Sequence, residues 1–171
     1  MANRPLEEVP DGIRIFVDTN ILIYHLLDDD LYGASCRAFL QRVEARSVTA
    51  FTSPIVAAET LFVYLRAWII TNKKIAPKGV LRYLKRHRAA VQEVDFQKPR
   101  ALLALFRVLP LNRAVLQASY DLMPHSHLLP ADAVDAALMK RHHVSALATR
   151  DDDFDHIEGF EVFKPSISQH P

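Results

Sequence analysis

Apolar and polar positions change rhythm along this chain. The run "IRIFV" at 13–17 is β-branched or aromatic apart from Arg14 and predicts a short buried strand. Asp18-Thr19-Asn20 interrupts it, and helical apolar spacing follows over 21–27. A second helix is predicted over 31–45, with Asp30 as its cap. "TAFTS" at 49–53 reads as a strand. Ser53-Pro54 then places an N-cap before a proline at the first helical position, and a helix runs to about residue 71. Pro77 opens a basic helix to about 91, and "KPRALLALF" supplies a short helix after Pro99. "FRVLPL" at 106–111 is the third strand, with "EVDF" at 93–96 as a rival. Helices follow over 112–122 and 131–142, and strands over 144–149 and 160–163. Strands alternating with helices predict parallel crossovers and an α/β sandwich, whose ligand sites lie at the carboxyl ends of its strands.

The 171 residues suit one domain over 1–171, with 50% hydrophobic residues to fill its core. No internal repeat, low-complexity tract or Gly/Ser linker divides them. The N-terminus lacks the pattern of a signal peptide. The longest apolar run, "TLFVYLRAWII", is broken by Arg66 and too short to span a bilayer, so no membrane is expected. Cys36 stands alone, which excludes an internal disulfide and predicts a buried small hydrophobe in a reducing compartment, the cytoplasm by default.

Net charge is only +1, but it is segregated. Residues 60–92 carry Arg66, Lys73, Lys74, Lys78, Arg82, Lys85, Arg86 and Arg88 with no acid, whereas 151–161 carry six acids with no Lys or Arg. A basic stretch opposite an acidic pole fits an anion-binding surface beside a cation site; the plainer reading is two solvated faces. Lys73, Lys74, Arg82, Lys85, Arg86 and Arg88 are candidates for RNA phosphate contacts. Trp68 and Tyr83 can either stack on bases or belong to the core.

Four acids have the placement of a shared site. Asp18 and Asp151 each follow a predicted strand; Glu59 lies one turn into the helix begun by Ser53-Pro54; Asp132 sits in the first turn of "PADAVDAALM". In a parallel sheet all four come to one edge. Converging carboxylates raise one another's pKa, and a divalent cation relieves that repulsion. Oxygen-only ligands suit Mg²⁺ or Mn²⁺, which can activate water and stabilise an in-line phosphoryl displacement. Each acid also has a structural reading: Asp18 as an N-cap, Glu59 on a solvated face, Asp132 facing its helix dipole, Asp151 capping the "DDDF" turn. Asp135, one turn beyond Asp132, is either a rival ligand or a solvated neighbour. His142 and His143 complement a helix end, and His125 and His127 form an H-x-H in a loop without the cysteine that would complete a zinc site.

Together, "FVDTN", "SPIVAAE", "FRVLPL" followed by a helix, "LPADAVDAALMKRHHVSALATRDDDF" and "GFEVF" resemble the PIN-domain nucleases across 13–163. The resemblance implies a three-layer α/β/α sandwich with a mainly parallel, usually five-stranded sheet, and a metal-dependent ribonuclease. Many prokaryotic members are VapC-type toxins paired with a small antitoxin, and homodimers are common. The apolar helix "TLFVYLRAWII" could supply such an interface. Asp18, Glu59, Asp132 and Asp151 match the family's acidic ligands, using one or two ions. Asp153 matches a further acid near the metal, and Asn20 and Thr149 match polar residues that orient the ligands. Asp135 stands where many members carry a small or apolar residue. The chain is longer than the small toxins, and the extra length forms a helical basic insertion at about 66–105. The leading reading is therefore an endoribonuclease that is a toxin or a free-standing RNA-processing enzyme. Rivals are a phosphatase resembling haloacid dehalogenases, which would need an acid where Asn20 stands, and a non-catalytic RNA-binding module.

Overall fold

The computed structural model describes residues 4–168. Its centre is a sheet of six strands: β1 (Arg4–Pro5), β2 (Arg14–Val17), β3 (Thr49–Thr52), β4 (Arg107–Val108), β5 (Ala146–Ala148) and β6 (Glu161–Lys164). They lie in the order β1-β6-β5-β2-β3-β4, every neighbouring pair parallel. The helices are α1 (Thr19–Leu26), α2 (Gly33–Glu44), α3 (Pro54–Lys73), α4 (Val80–Arg86), α5 (Gln97–Leu103), α6 (Arg113–Ser126) and α7 (Pro130–Arg141).

The apolar runs become central strands because both sheet faces are covered. Ile15, Phe16 and Val17 of β2 are buried and lie opposite Ala146, Leu147 and Ala148 of β5. Helix α1 packs against α2 and α3, while α6 and α7 pack on each other. From Ala133 to Met139 every residue of α7 is buried, and its alanines admit neighbours closely. The chain leaves β2 for β3 and β4 and returns as β5 on the other side of β2. That reversal opens a crevice between the carboxyl ends of β2 and β5.

Several local expectations change. The sheet has a sixth strand, because the two-residue edge strand Arg4–Pro5 carries no apolar alternation to announce it. The third strand shrinks to Arg107–Val108, and 93–96 forms no strand. Asp30 does not cap α2; Asp29 Oδ1 instead accepts the N–H groups of Leu31 (3.0 Å) and Tyr32 (2.9 Å) in the preceding turn. The basic helix breaks into two 3₁₀ turns, Pro77–Gly79 and Arg88–Glu93, around α4, where His87 leaves helical geometry (φ −126°, ψ 60°). His125 lies within α6 rather than in a loop, one ring nitrogen 2.6 Å from the Asp121 carbonyl. Helix α3 is longer than the apolar run within it: its 20 residues are long and apolar enough, by length and composition, to cross a membrane. It nevertheless follows β3 directly and buries Val56, Thr60 and Ile69.

The segment after α3 has its own small core. Ile69, Val80 and Ala90 are buried together, with Trp68 and Tyr83 packed against them. Trp68 and Tyr83 thus take the core role. Cys36 is fully buried, and burial pushes its thiol up to about 12.

Candidate active site

The site begins where β2 ends. Asp18 is the N-cap of α1, and its Oδ1 accepts the Thr19 N–H at 2.6 Å. Capping uses only that oxygen. Oδ2 accepts from Asn20 Nδ2 at 2.6 Å and from the Thr149 hydroxyl at 2.7 Å. Thr149 Oγ1 in turn accepts from Asn20 Nδ2 and from the Asp151 N–H, both at 3.0 Å. Asn20 Oδ1 receives the Arg150 N–H at 2.9 Å. Asn20 and Thr149 therefore stitch the end of β2 to the turn after β5 and hold Asp18 in one orientation.

Glu59 projects from the second turn of α3, whose start is set by Ser53: its Oγ accepts the Val56 N–H at 3.0 Å. The Thr19 hydroxyl donates to Glu59 Oε2 at 3.0 Å. Thr19 escaped sequence reasoning; its only signal was its place inside "DTN". Asp18, Glu59, Asp132 and Asp151 line one cavity of about 320 Å³, with Thr19, Asn20, Ile23, Tyr24 and Val63. Asp153 is exposed and outside that lining; its N–H donates to Asp151 Oδ1 at 3.0 Å. Asp135 lies one turn along α7 from Asp132, 6% exposed, with Oδ1 lacking a hydrogen-bond partner.

A larger cavity, about 490 Å³, opens between α1, α2 and α5. Its charges, Asp28, Arg37, Glu44 and Lys98, are of mixed sign, and Arg37 is already paired with Asp28. It offers no convergent set of like donors.

Electrostatics mark the acidic cavity as strained without a counter-charge. Burial, then Asp151 and Glu59, raise the Asp18 carboxyl against the pull of its Thr149 and Thr19 hydrogen bonds. Burial, then the charges of Asp18, Asp151, Asp153 and Glu59, push Asp132 to about 6. Burial pushes Asp135 to about 7, opposed by the Ser53 hydroxyl and aided by Asp18, Glu59 and Asp132. A hard divalent cation fits this all-oxygen donor set. Among the described residues no three His, Cys, Asp or Glu side chains are already closed to ligand spacing. Mutual repulsion favours that openness, and an ion such as Mg²⁺, which keeps several waters, tolerates it.

These shifts carry a pH signature. A carboxyl raised in the folded state binds its proton more tightly there than in the unfolded chain, so stability falls as pH rises between the two pKa values. For Asp132 and Asp135 the window runs from the ordinary value of 3.8 to about 6 and about 7. EDTA-treated protein should therefore lose Tm steadily from acidic to neutral pH, and Asp135→Asn should flatten the decline. At neutral pH Asp135→Asn should gain about 2–4 kcal/mol, or roughly 5–10 °C. Differential scanning calorimetry across that range checks it; a variant no more stable than the parent would contradict the buried-charge account.

Comparison with known proteins agrees with this architecture. Ribonuclease VapC2 of Methanocaldococcus jannaschii is 30% identical over 151 residues, covering 88% of this chain and 93% of that protein. The fold matches VapBC2 from Rickettsia felis, solved bound to a promoter DNA fragment, with TM-score 0.56 and 13% identity over 90% of this chain and 100% of the other. It also matches Mycobacterium tuberculosis VapC20, a sarcin–ricin loop cleaving toxin, with TM-score 0.54 and 20% identity over 82% and 92%. The family model for the PIN domain matches residues 15–159, which take in β3, β4, β5, most of β2 and every cavity acid, and this chain belongs to the PIN domain family.

Proposed function

We propose that this protein is a divalent-metal-dependent endoribonuclease of VapC type, the toxin of a toxin–antitoxin pair, acting in the cytoplasm. The observation that carries the reading is the convergence of four carboxylates, from the ends of β2 and β5 and from α3 and α7, on one cavity. Asp18, Glu59, Asp132 and Asp151 would hold Mg²⁺ or Mn²⁺, with Asp153 at the rim. When bound, the ion supplies charge stabilisation for a phosphodiester in displacement and an activated water.

The protein's own contribution is orientation. Thr149 and Asn20 direct Asp18, Thr19 directs Glu59, and the Thr149 hydroxyl holds the Asp151 backbone. Held this way, the ligands need little rearrangement when charge develops on the phosphate. The arrangement disfavours a haloacid-dehalogenase-like phosphatase, because Asn20 spends its amide on Asp18 and offers no second acid. Incubating purified protein with labelled single-stranded and hairpin RNAs tests the reading: shorter fragments should appear with Mg²⁺ or Mn²⁺. Hydrolysis of a chromogenic phosphate ester, with RNA left intact, would overturn it.

We read the chain as one nuclease domain with a helical insertion, and the insertion as a distal RNA contact. Lys74, Arg82, Lys85, Arg86 and Arg88 are exposed, whereas Lys73 is engaged with Glu93 at 2.6 Å and lies over Trp68. Its exposed cations follow the last residue of α3, Lys73, about 20 Å from Glu59 along the helix at about 1.5 Å per residue. It would touch RNA several nucleotides from the cut. Lys85→Ala with Arg86→Ala should flatten the slope of log affinity against log salt by roughly 1–1.5, at about 0.7 per lost phosphate contact. The turnover rate at saturating RNA should be unchanged. A wild-type slope in the folded double variant would remove this segment from the RNA path.

Helix α3 also supports a homodimer. Leu61 and Leu65, one turn apart, are only part-buried, and Phe62 beside them is exposed. A second copy would cover this apolar face.

A further inference from the structure

Beside the acidic cavity lies a group that the metal chemistry does not use. Tyr24 of α1 lines the cavity and packs its ring against Tyr32, with centroids 5.0 Å apart and planes at 36°. The Arg150 guanidinium stands 5.5 Å from the Tyr32 centroid, and its Nε donates to the Tyr32 hydroxyl at 3.2 Å. Arg150 sits between Thr149 and Asp151, its backbone pinned by Asn20. None of the three side chains is buried. A cation is thereby fixed one residue from Asp151, and an aromatic pair runs from it to the cavity wall.

We propose that Tyr24, Tyr32 and Arg150 form a nucleotide platform that seats the residue flanking the scissile phosphate, the tyrosines stacking its base and the arginine holding its phosphate. This deepens the ribonuclease reading and rests on it. The physics requires something of the kind. A cavity ringed with carboxylates repels a phosphodiester, and no basic side chain lines it. A local cation offsets the repulsion at the entry point; its Nη1 stands a loose 3.7 Å from the exposed Asp152 carboxylate, a pairing that phosphate oxygens suited to its planar fork can replace. Tyrosine rings stack on any base with little sequence demand, which suits single-stranded RNA. Being half-buried and mutually packed, the rings lose little freedom when a base arrives.

The test uses Asp18→Asn protein, so that RNA survives, and two fluorescent single strands of about twelve nucleotides. One carries bases; the other is the abasic ribose-phosphate chain. Anisotropy titrations should show Tyr24→Leu losing about 5- to 30-fold of the preference for the strand with bases. Affinity for the abasic strand should stay within about twofold, and Tyr24→Phe should retain the parent's preference. Arg150→Ala should weaken both strands and flatten the salt slope by about 0.7. If the tyrosines only tether α1 to the loop before α2, Tyr24→Leu will discriminate as the parent does, and the proposal falls. Should Tyr24→Leu not fold, photocrosslinking of 4-thiouridine RNA to the Asp18→Asn protein decides: crosslinks at Tyr24 or Tyr32 support the platform, and their absence there overturns it. Wild-type protein that fails to cut RNA refutes the ribonuclease reading. Wild-type cutting combined with unchanged discrimination in Tyr24→Leu refutes the platform alone.

Discussion

Asp18→Asn should lower RNA cleavage by about 10²–10³-fold or more while leaving the fold intact. The substitution keeps the size of the side chain and an oxygen able to accept the Thr19 N–H, so the start of α1 survives. What disappears is the negative charge at the centre of the acidic set. Asp18 is also the hub of the orienting network, accepting from Thr19, Asn20 and Thr149 together. An amide there turns one acceptor into a donor facing Asn20, so ligand orientation suffers along with charge. The loss should appear in the turnover rate at saturating RNA, with binding through the basic insertion retained. Circular dichroism and a melting curve establish the fold, and a single-turnover cleavage assay measures the loss. Wild-type rates in a folded Asp18→Asn protein would remove Asp18 from the chemistry. Asp135→Asn should cost far less, because Asp135 lies outside the cavity lining. Equal severity would show that the deeper acid is also needed.

Removing divalent ions should abolish cleavage, and Mg²⁺ or Mn²⁺ should restore it. The acids raise one another's pKa and share their cavity with no basic side chain. Such a site gains most from a cation of high charge density. Ca²⁺ should bind and support little turnover, because its longer and looser coordination positions phosphate and water poorly. Ion binding should also raise Tm most at neutral pH, where the carboxylates are ionised and the metal-free protein is least stable. Full activity in EDTA, with elemental analysis showing no bound metal, would rule this dependence out.

What the sequence by itself determined rests on local physics. A strand covered on both faces is apolar over its covered length, so the apolar runs within "IRIFV" and "SALAT" announced the sheet's centre. A helix start needs its orphan N–H groups met, so Ser53-Pro54 marked α3 and thereby set Glu59 one turn inside it. Asp18, which directly follows a buried strand, stands out because burial makes an acid costly, and Asp151 follows the end of β5 after only Thr149 and Arg150. The tertiary structure decided whatever depends on partners distant in the chain. The edge strand Arg4–Pro5 exists only because Phe163 and Lys164 lie beside it. The periodicity of α7 permits either Asp132 or Asp135 at the site; packing turns Asp132 to the cavity wall and buries Asp135 behind it. Thr19 on Glu59, and Arg150 on Tyr32, span 40 and 118 residues. No local pattern encodes such pairs: the first forms only when α3 packs against α1, and the second only when β5 returns beside β2 and brings its following turn to the segment before α2.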